Sequence, residues 1–285
     1  MLNIALAGNP NCGKTSLFNL LTKSRQHIGN WPGVTVEKKE GTLKFKGESY
    51  KVIDYSLGAY SEDEIVARNY ILKDKPDVVI NVVDATNLER NLYLTTQLIE
   101  MGANVVIALN MIDQAESLNI EIDTNKLSKR LGVPIIKTSA FKNRGIEELI
   151  ETSIHSKKNE KLININYGED IENEIKNLSY LLEAYKNKLE FPVNWTALKL
   201  LENDEYIKDK VKQLNSPSIF TKLEESNKTI EKNIGFEADM SIVDKRYSFI
   251  SSITEDVIKK PSKKQVTTTE KIDKIVTNKY LGIPI

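Results

Sequence analysis

The chain has 285 residues with forty basic and forty acidic side chains, so its formal net charge is zero. That length predicts one domain of about 150–170 residues and a smaller second one, and the balanced charge excludes the basic surplus of a nucleic-acid binder. The single cysteine, Cys12, excludes an internal disulfide and fits a reducing cytosolic setting, while two distant histidines, His27 and His155, exclude a zinc-type ligand cluster.

In chain order, residues 2–7 are apolar, too short for a signal peptide, and read as the first strand. They lead into Gly8-Asn9-Pro10-Asn11-Cys12-Gly13-Lys14-Thr15, followed by Ser16 and an apolar helix over 14–23 that carries Leu17, Phe18, Leu20 and Leu21. The pattern G-x-x-x-x-G-K-[ST] between a strand and a helix is a phosphate-binding loop. Its glycines let backbone N–H groups converge on phosphates, and the helix adds its dipole. Lys14 would reach the β and γ phosphates and the Thr15 hydroxyl would ligate Mg²⁺, so a nucleoside triphosphate is the expected ligand.

Strands are expected at 34–45, 50–54, 77–84, 104–110 and 133–138, with helices at 61–73, 90–101, 124–131 and 145–156. This alternation predicts an α/β, mostly parallel, doubly wound sheet of the P-loop GTPase (Ras-like) kind. The longest apolar runs, such as Val78 to Val83, are strand-sized and too short to span a membrane. The strand at 104–110 ends in Asn110-Met111-Ile112-Asp113, an N-x-x-D signature. Asp113 can accept two hydrogen bonds from guanine, whereas adenine presents a different edge, so GTP is expected over ATP. Thr138-Ser139-Ala140 follows the next strand, and its backbone suits the guanine carbonyl. Neither short motif is specific alone; their order behind the phosphate loop is what points to a GTPase.

From residue 165 the pattern becomes helical, with Ile171, Ile175, Leu178, Leu182, Tyr185 and Leu189 on one face. Ser216-Pro217 reads as a helix start and Gly235 as that helix's end. Residues 165–258 are therefore expected to form a small all-helical domain of about four or five helices. Its acidic pairs, Glu169 with Glu172 and Glu224-Glu225, read as solvated faces, since no histidine or cysteine joins them. Residues 256–285 hold seven lysines against three acids and then turn apolar at Tyr280 to Ile285. That is either a lysine-rich tail or the cytoplasmic approach to a membrane helix.

Residues 27–40, His-Ile-Gly-Asn-Trp-Pro-Gly-Val-Thr-Val-Glu-Lys-Lys-Glu, together with 9–15 and Ala59-Tyr60-Ser61-Glu62-Asp63-Glu64, closely resemble the ferrous iron transport protein B family. The resemblance covers the whole chain. It implies a GTP-binding domain over 1–160 and a helical domain over 165–258 that supports nucleotide binding in the manner of a GDP-dissociation inhibitor. Residues 259–285 would be a basic linker to a membrane-embedded part. The implied activity is slow, Mg²⁺-dependent GTP hydrolysis on the cytoplasmic face of the cell membrane, in the service of Fe²⁺ uptake. Small cytosolic regulatory proteins and self-association are implied as partners.

By the same resemblance Thr35 is the switch threonine, meeting Mg²⁺ and the γ phosphate, with Pro32, Gly33 and Trp31 moving beside it, unless Trp31 is a buried core residue. Asp54 would hold a metal-bound water. Asn11 would help hold K⁺ beside the phosphates, or else only stabilise the turn. Lys14 and Thr35 are thus the catalytic candidates; Gly8, Asn9, Asn11, Cys12, Gly13, Lys14, Thr15, Ser16, Asn110, Met111, Asp113, Ser139 and Ala140 are the GTP or GDP contacts. Thr15, Thr35 and Asp54 are the metal set. One departure stands out, because the family's Asp-Leu-Pro-Gly is absent and Asp54 joins Tyr55-Ser56-Leu57-Gly58 directly, about four residues short. Gly58 is therefore not expected to be the glycine that senses the γ phosphate. Either the switch is truly shortened, or residues are missing from the numbering after Asp54, which a Cα step well beyond roughly 3.8 Å would reveal. A ribosome- or RNA-associated GTPase and a non-hydrolysing GTP-dependent binding module are the alternative readings.

Overall fold

The computed structural model describes residues 2–23, 26–30, 37–55, 71, 75–157, 163 and 165–259. Nine strands and ten helices are found among them. A seven-stranded sheet is built from β1 (Asn3–Gly8), β2 (Gln26–Asn30), β3 (Glu37–Phe45), β4 (Glu48–Tyr55), β5 (Val78–Asp84), β6 (Val105–Asn110) and β8 (Ile135–Lys137). The strand order is β2-β3-β4-β1-β5-β6-β8. Pairing is parallel from β4 across to β8 and antiparallel between β2, β3 and β4.

The central strands are apolar on both faces because helices cover both. Ala5, Ala7, Val79, Val83, Ile107 and Leu109 enter one core, while Ile4, Leu6, Val78, Val82, Val106 and Ala108 enter the other. Against the second core lie α1 (Lys14–Thr22) and α5 (Ile146–His155), through Leu17, Phe18, Leu21, Leu149 and Ile150. Against the first lie α2 (Leu88–Glu100) and α4 (Thr124–Leu131). The expected mostly parallel, doubly wound sheet is thus the observed one.

Five further helices follow: α6 (Glu169–Glu183), α7 (Val193–Leu201), α8 (Glu205–Lys212), α9 (Pro217–Ile234) and α10 (Ala238–Val257). Pro217 opens α9, and Gly235 closes it at φ 84°. Ile171, Ile175, Leu178 and Leu182 are buried, as their spacing predicts. The helix ends at Glu183, however, so Tyr185 and Leu189 pack from the turn beyond it rather than from the same helical face. Glu172 is not merely solvated, since its carboxylate accepts from the Tyr167 N–H at the helix entrance.

Several expectations are corrected. Residues 26–30 form a strand that the periodicity does not reveal, because β2 lies at the sheet edge. A short helix, α3 (Ile112–Ser117), carries Asp113 between the strand expected at 104–110 and the helix expected at 124–131. Lys259, assigned to the linker, instead pairs in β9 (Ile258–Lys259) against β7 (Glu121–Ile122). β4 runs on past Asp54, since Asp54 and Tyr55 pair with Lys39 and Lys38 in consecutive register. Of the helix expected at 61–73 only Ile71, which is buried and helical, lies within the described residues. Trp31, Pro32, Gly33, Thr35, Gly58 and residues 260–285 lie outside them.

Candidate functional site

The phosphate loop leaves β1 at Gly8 and enters α1 at Lys14. Asn11 adopts φ 66° and Gly13 φ 85°. At Gly13 glycine is required twice over: the backbone is left-handed, and a Cβ there would lie 2.4 Å from Asn110 Nδ2. The loop is tied to the body at two points. Asn9 Nδ2 donates to the Arg90 carbonyl of α2 (3.2 Å), and Asn110 Nδ2 donates to the Cys12 carbonyl (2.9 Å).

Lys14 is buried in the first turn of α1, and its Nζ lies 3.0 Å from Asp54 Oδ1 near the end of β4. Thr15 and Ser16 are exposed at the mouth of the loop. Cys12 faces inward, and burial pushes its thiol up to about 11, so it is neutral at physiological pH. Two of the three metal candidates, Thr15 and Asp54, therefore sit at the same end of the sheet, and their donors are the hard oxygens that Mg²⁺ prefers.

Asn110 is a brace between three loops. It is buried at the end of β6, and besides holding Cys12 its Oδ1 accepts from the Ala140 N–H (3.0 Å) and the Thr138 hydroxyl (3.3 Å). The phosphate loop, the N-x-x-D segment and the Thr138-Ser139-Ala140 turn are thus fixed to one another by a single side chain. Met111 takes a left-handed φ of 58°, and Asp113 opens α3. The Asp113 carboxylate is mostly buried and lies 4.0 Å from Lys142 Nζ. Ser139 exchanges two backbone bonds with Arg144, and its hydroxyl accepts from the Lys142 N–H. Gly145, at φ 74°, lets the turn close, because a Cβ there would meet the Lys137 carbonyl at 2.1 Å. Arg144 in turn clasps Glu116 of α3 through 2.9 and 3.0 Å contacts. Every expected nucleotide contact within the described residues is thereby gathered at the carboxyl ends of β1, β6 and β8, where ligands bind such sheets.

A second polar cluster lies where the two helical layers meet, and motif reading does not find it. Arg246 of α10 is fully buried and reaches Glu100 Oε2 at the end of α2 (3.0 Å) and Glu202 Oε1 after α7 (2.5 Å). Tyr167 donates its hydroxyl to Glu100, Tyr93 accepts from Arg246, and Lys199 pairs with Glu202. Burial raises the Glu100 carboxyl above its usual range; at Glu202 burial acts the same way, but Lys199 and Arg246 outweigh it and hold the group low. The sequence signal was Arg246 itself, lying at helical spacing between buried Ile242 and Ile250.

Residues 2–153 match the family model described as Ferrous iron transport protein B, and residues 167–259 match the FeoB cytosolic helical domain. A similar relative is the Fe(2+) transporter FeoB of Methanocaldococcus jannaschii, 47% identical over 286 residues that cover 98% of this chain and 42% of that protein. The chain spans 35–42% of the length of the first curated relatives it matches. Among solved structures, an S. thermophilus NFeoB E67A mutant bound to GDP is 39% identical with a TM-score of 0.81, covering 91% of this chain and 100% of that one. The cytosolic domain of the T. maritima FeoB iron transporter in its GMPPNP form is 37% identical with a TM-score of 0.75, at the same coverages. Among the described residues no helix is long and apolar enough to cross a membrane. The family model alone spans more than half the chain, and the chain belongs to the ferrous iron transport protein B family.

Proposed function

We propose that this chain binds GTP and GDP and hydrolyses GTP slowly, as the cytosolic front end of an Fe²⁺ membrane transporter that its nucleotide state gates or drives. Residues 1–160 would be the nucleotide domain, 165–258 the helical domain, and the segment that follows the route to a membrane-embedded part. The observation that carries the reading is the Asn110 brace, which sets the phosphate loop and both base-reading segments in one frame. The relatives' solved forms with GDP and GMPPNP support it.

In that reading the amides of residues 9–15 and Lys14 hold the phosphates, and Asp113 accepts from guanine's ring N–H and exocyclic amine. The donor set of Thr15 and Asp54 fits Mg²⁺, with Thr35 as the third candidate. Mg²⁺ when bound would neutralise charge on the β and γ oxygens. Lys14 and the loop amides stabilise the charge developing on the β–γ bridge. Asn11 is the candidate neighbour of K⁺. No side chain is assigned as general base. The balanced charge leaves no reason for a nucleic-acid partner, whereas small cytosolic regulatory proteins and self-association belong to the proposal. Calorimetry with GDP and Mg²⁺ tests the site: binding to the unsubstituted chain and none to Lys14→Ala is expected, and equal affinity for both refutes it.

A further inference from the structure

A cleft of about 640 Å³ opens between α6, α7 and the residues just ahead of α6, a volume within the range of small-molecule sites. Ile165, Ile175 and Leu198 give it apolar walls, with the rings of Tyr167 and Trp195 among them. Glu100 of α2 lines it where it meets the Arg246 cluster. None of these residues belongs to the nucleotide site, so the cleft stands apart from the function proposed above.

Two polar groups of the lining have unmet demands. Trp195 is only 3% exposed, and its Nε1–H is buried with no hydrogen-bond acceptor. Its ring meets Phe191 edge-on at 5.4 Å and lies 5.9 Å from Lys199 Nζ, but neither contact accepts that proton. A buried donor left unpaired is costly and uncommon in a folded chain. Glu172 is the second group. Arg246 compensates Glu100 and Lys186 compensates Glu183, whereas Glu172 has no ion-pair partner among the described residues and accepts only the Tyr167 N–H, at 3.4 Å. Three carboxylates and one ammonium thus line the cleft, a balance that works against an anionic ligand.

We propose that the cleft binds a small organic ammonium compound that also carries a neutral oxygen acceptor. The ammonium meets Glu172, the oxygen takes the Trp195 Nε1–H, and an apolar body lies against Ile165, Ile175 and Leu198. Each part of such a ligand answers one feature of the lining: the uncompensated carboxylate, the unpaired donor and the apolar walls.

The probe is leucyl-leucinamide, which has one ammonium, two amide carbonyls and two apolar side chains. Its N-acetyl derivative lacks the cation, and leucyl-leucine adds a carboxylate. Each is titrated into the full chain carrying ¹⁵N in its tryptophan indoles, with the Trp195 signal identified by its loss in Trp195→Phe. Leucyl-leucinamide should move the Trp195 Nε1–H resonance downfield, as a new hydrogen bond does, and saturate with a millimolar or tighter Kd. The acetylated probe and leucyl-leucine should each bind at least about fivefold more weakly, and so should leucyl-leucinamide to Glu172→Gln, which keeps an acceptor for the Tyr167 N–H. Glu183→Gln, whose charge Lys186 already compensates, should bind within about twofold of the parent. A resonance that stays in place, or drifts without saturating, overturns the proposal. Equal affinity for the acetylated probe or in Glu172→Gln does so too, and equal losses in Glu172→Gln and Glu183→Gln mark general attraction and overturn the assignment to Glu172.

Discussion

Replacing Arg246 by methionine removes the guanidinium that bonds both Glu100 and Glu202 across the junction between α2, α7 and α10. Breaking a buried ion pair by deleting one partner costs about 3–5 kcal/mol, because the remaining charge stays buried without compensation. Here part of the compensation survives, since Lys199 still faces Glu202 and the Tyr167 hydroxyl still donates to Glu100. The expected loss is therefore at the lower end, about 3 kcal/mol, or a fall of about 6–12 °C in melting temperature. Urea denaturation followed by circular dichroism measures it. The companion Arg246→Met/Glu100→Gln removes a charge of each sign and should regain much of the loss. A single variant that loses less than about 1 kcal/mol, or a double variant no better than the single, would refute the view that uncompensated charge sets the cost.

Asp113→Asn should lower the ratio of GTP to ATP affinity by tenfold or more, because a carboxylate that accepts two donors becomes an amide that accepts one; competition binding with both nucleotides reads it. Gly145→Ala should destabilise the chain by about 1–3 kcal/mol, through both its positive φ and the Lys137 carbonyl it would strike; thermal melting compares it with the parent. Cys12 gives a pH dependence of definite sign. Its folded-state value of about 11 lies above the unfolded 9.0, so the buried neutral thiol stabilises the fold below pH about 9, and that contribution fades as pH climbs towards 11. Urea midpoints between pH 8 and 11 should accordingly fall less steeply in Cys12→Ala than in the parent.

The phosphate loop and the N-x-x-D segment were legible because each places its chemistry within a few consecutive residues, bounded by strand and helix signals. The brace at Asn110 was half legible: the motif names the residue, but its three partners are separated from it by 28 to 98 positions, and only the sheet order brings them together. The edge strand β2 and the two-residue pairing of β7 with β9 escaped for a different reason. Short strands at a sheet margin carry too few alternating residues to declare a period. Arg246 was hidden by its own type, since arginine on a soluble helix ordinarily faces water and only its apolar neighbours Ile242 and Ile250 argue otherwise.

The two-residue ribbon of β7 and β9 fixes where the polypeptide departs from the helical layer. Asp123 N–H donates to the Val257 carbonyl, and Lys126 and Arg130 of α4 hold Asp256, so α10 is moored to the flank that follows α3. The chain beyond Lys259 consequently sets out from the flank of the sheet that carries Asp113. A rigid shift of that flank would tug on the outgoing chain directly, without crossing the five helices in between.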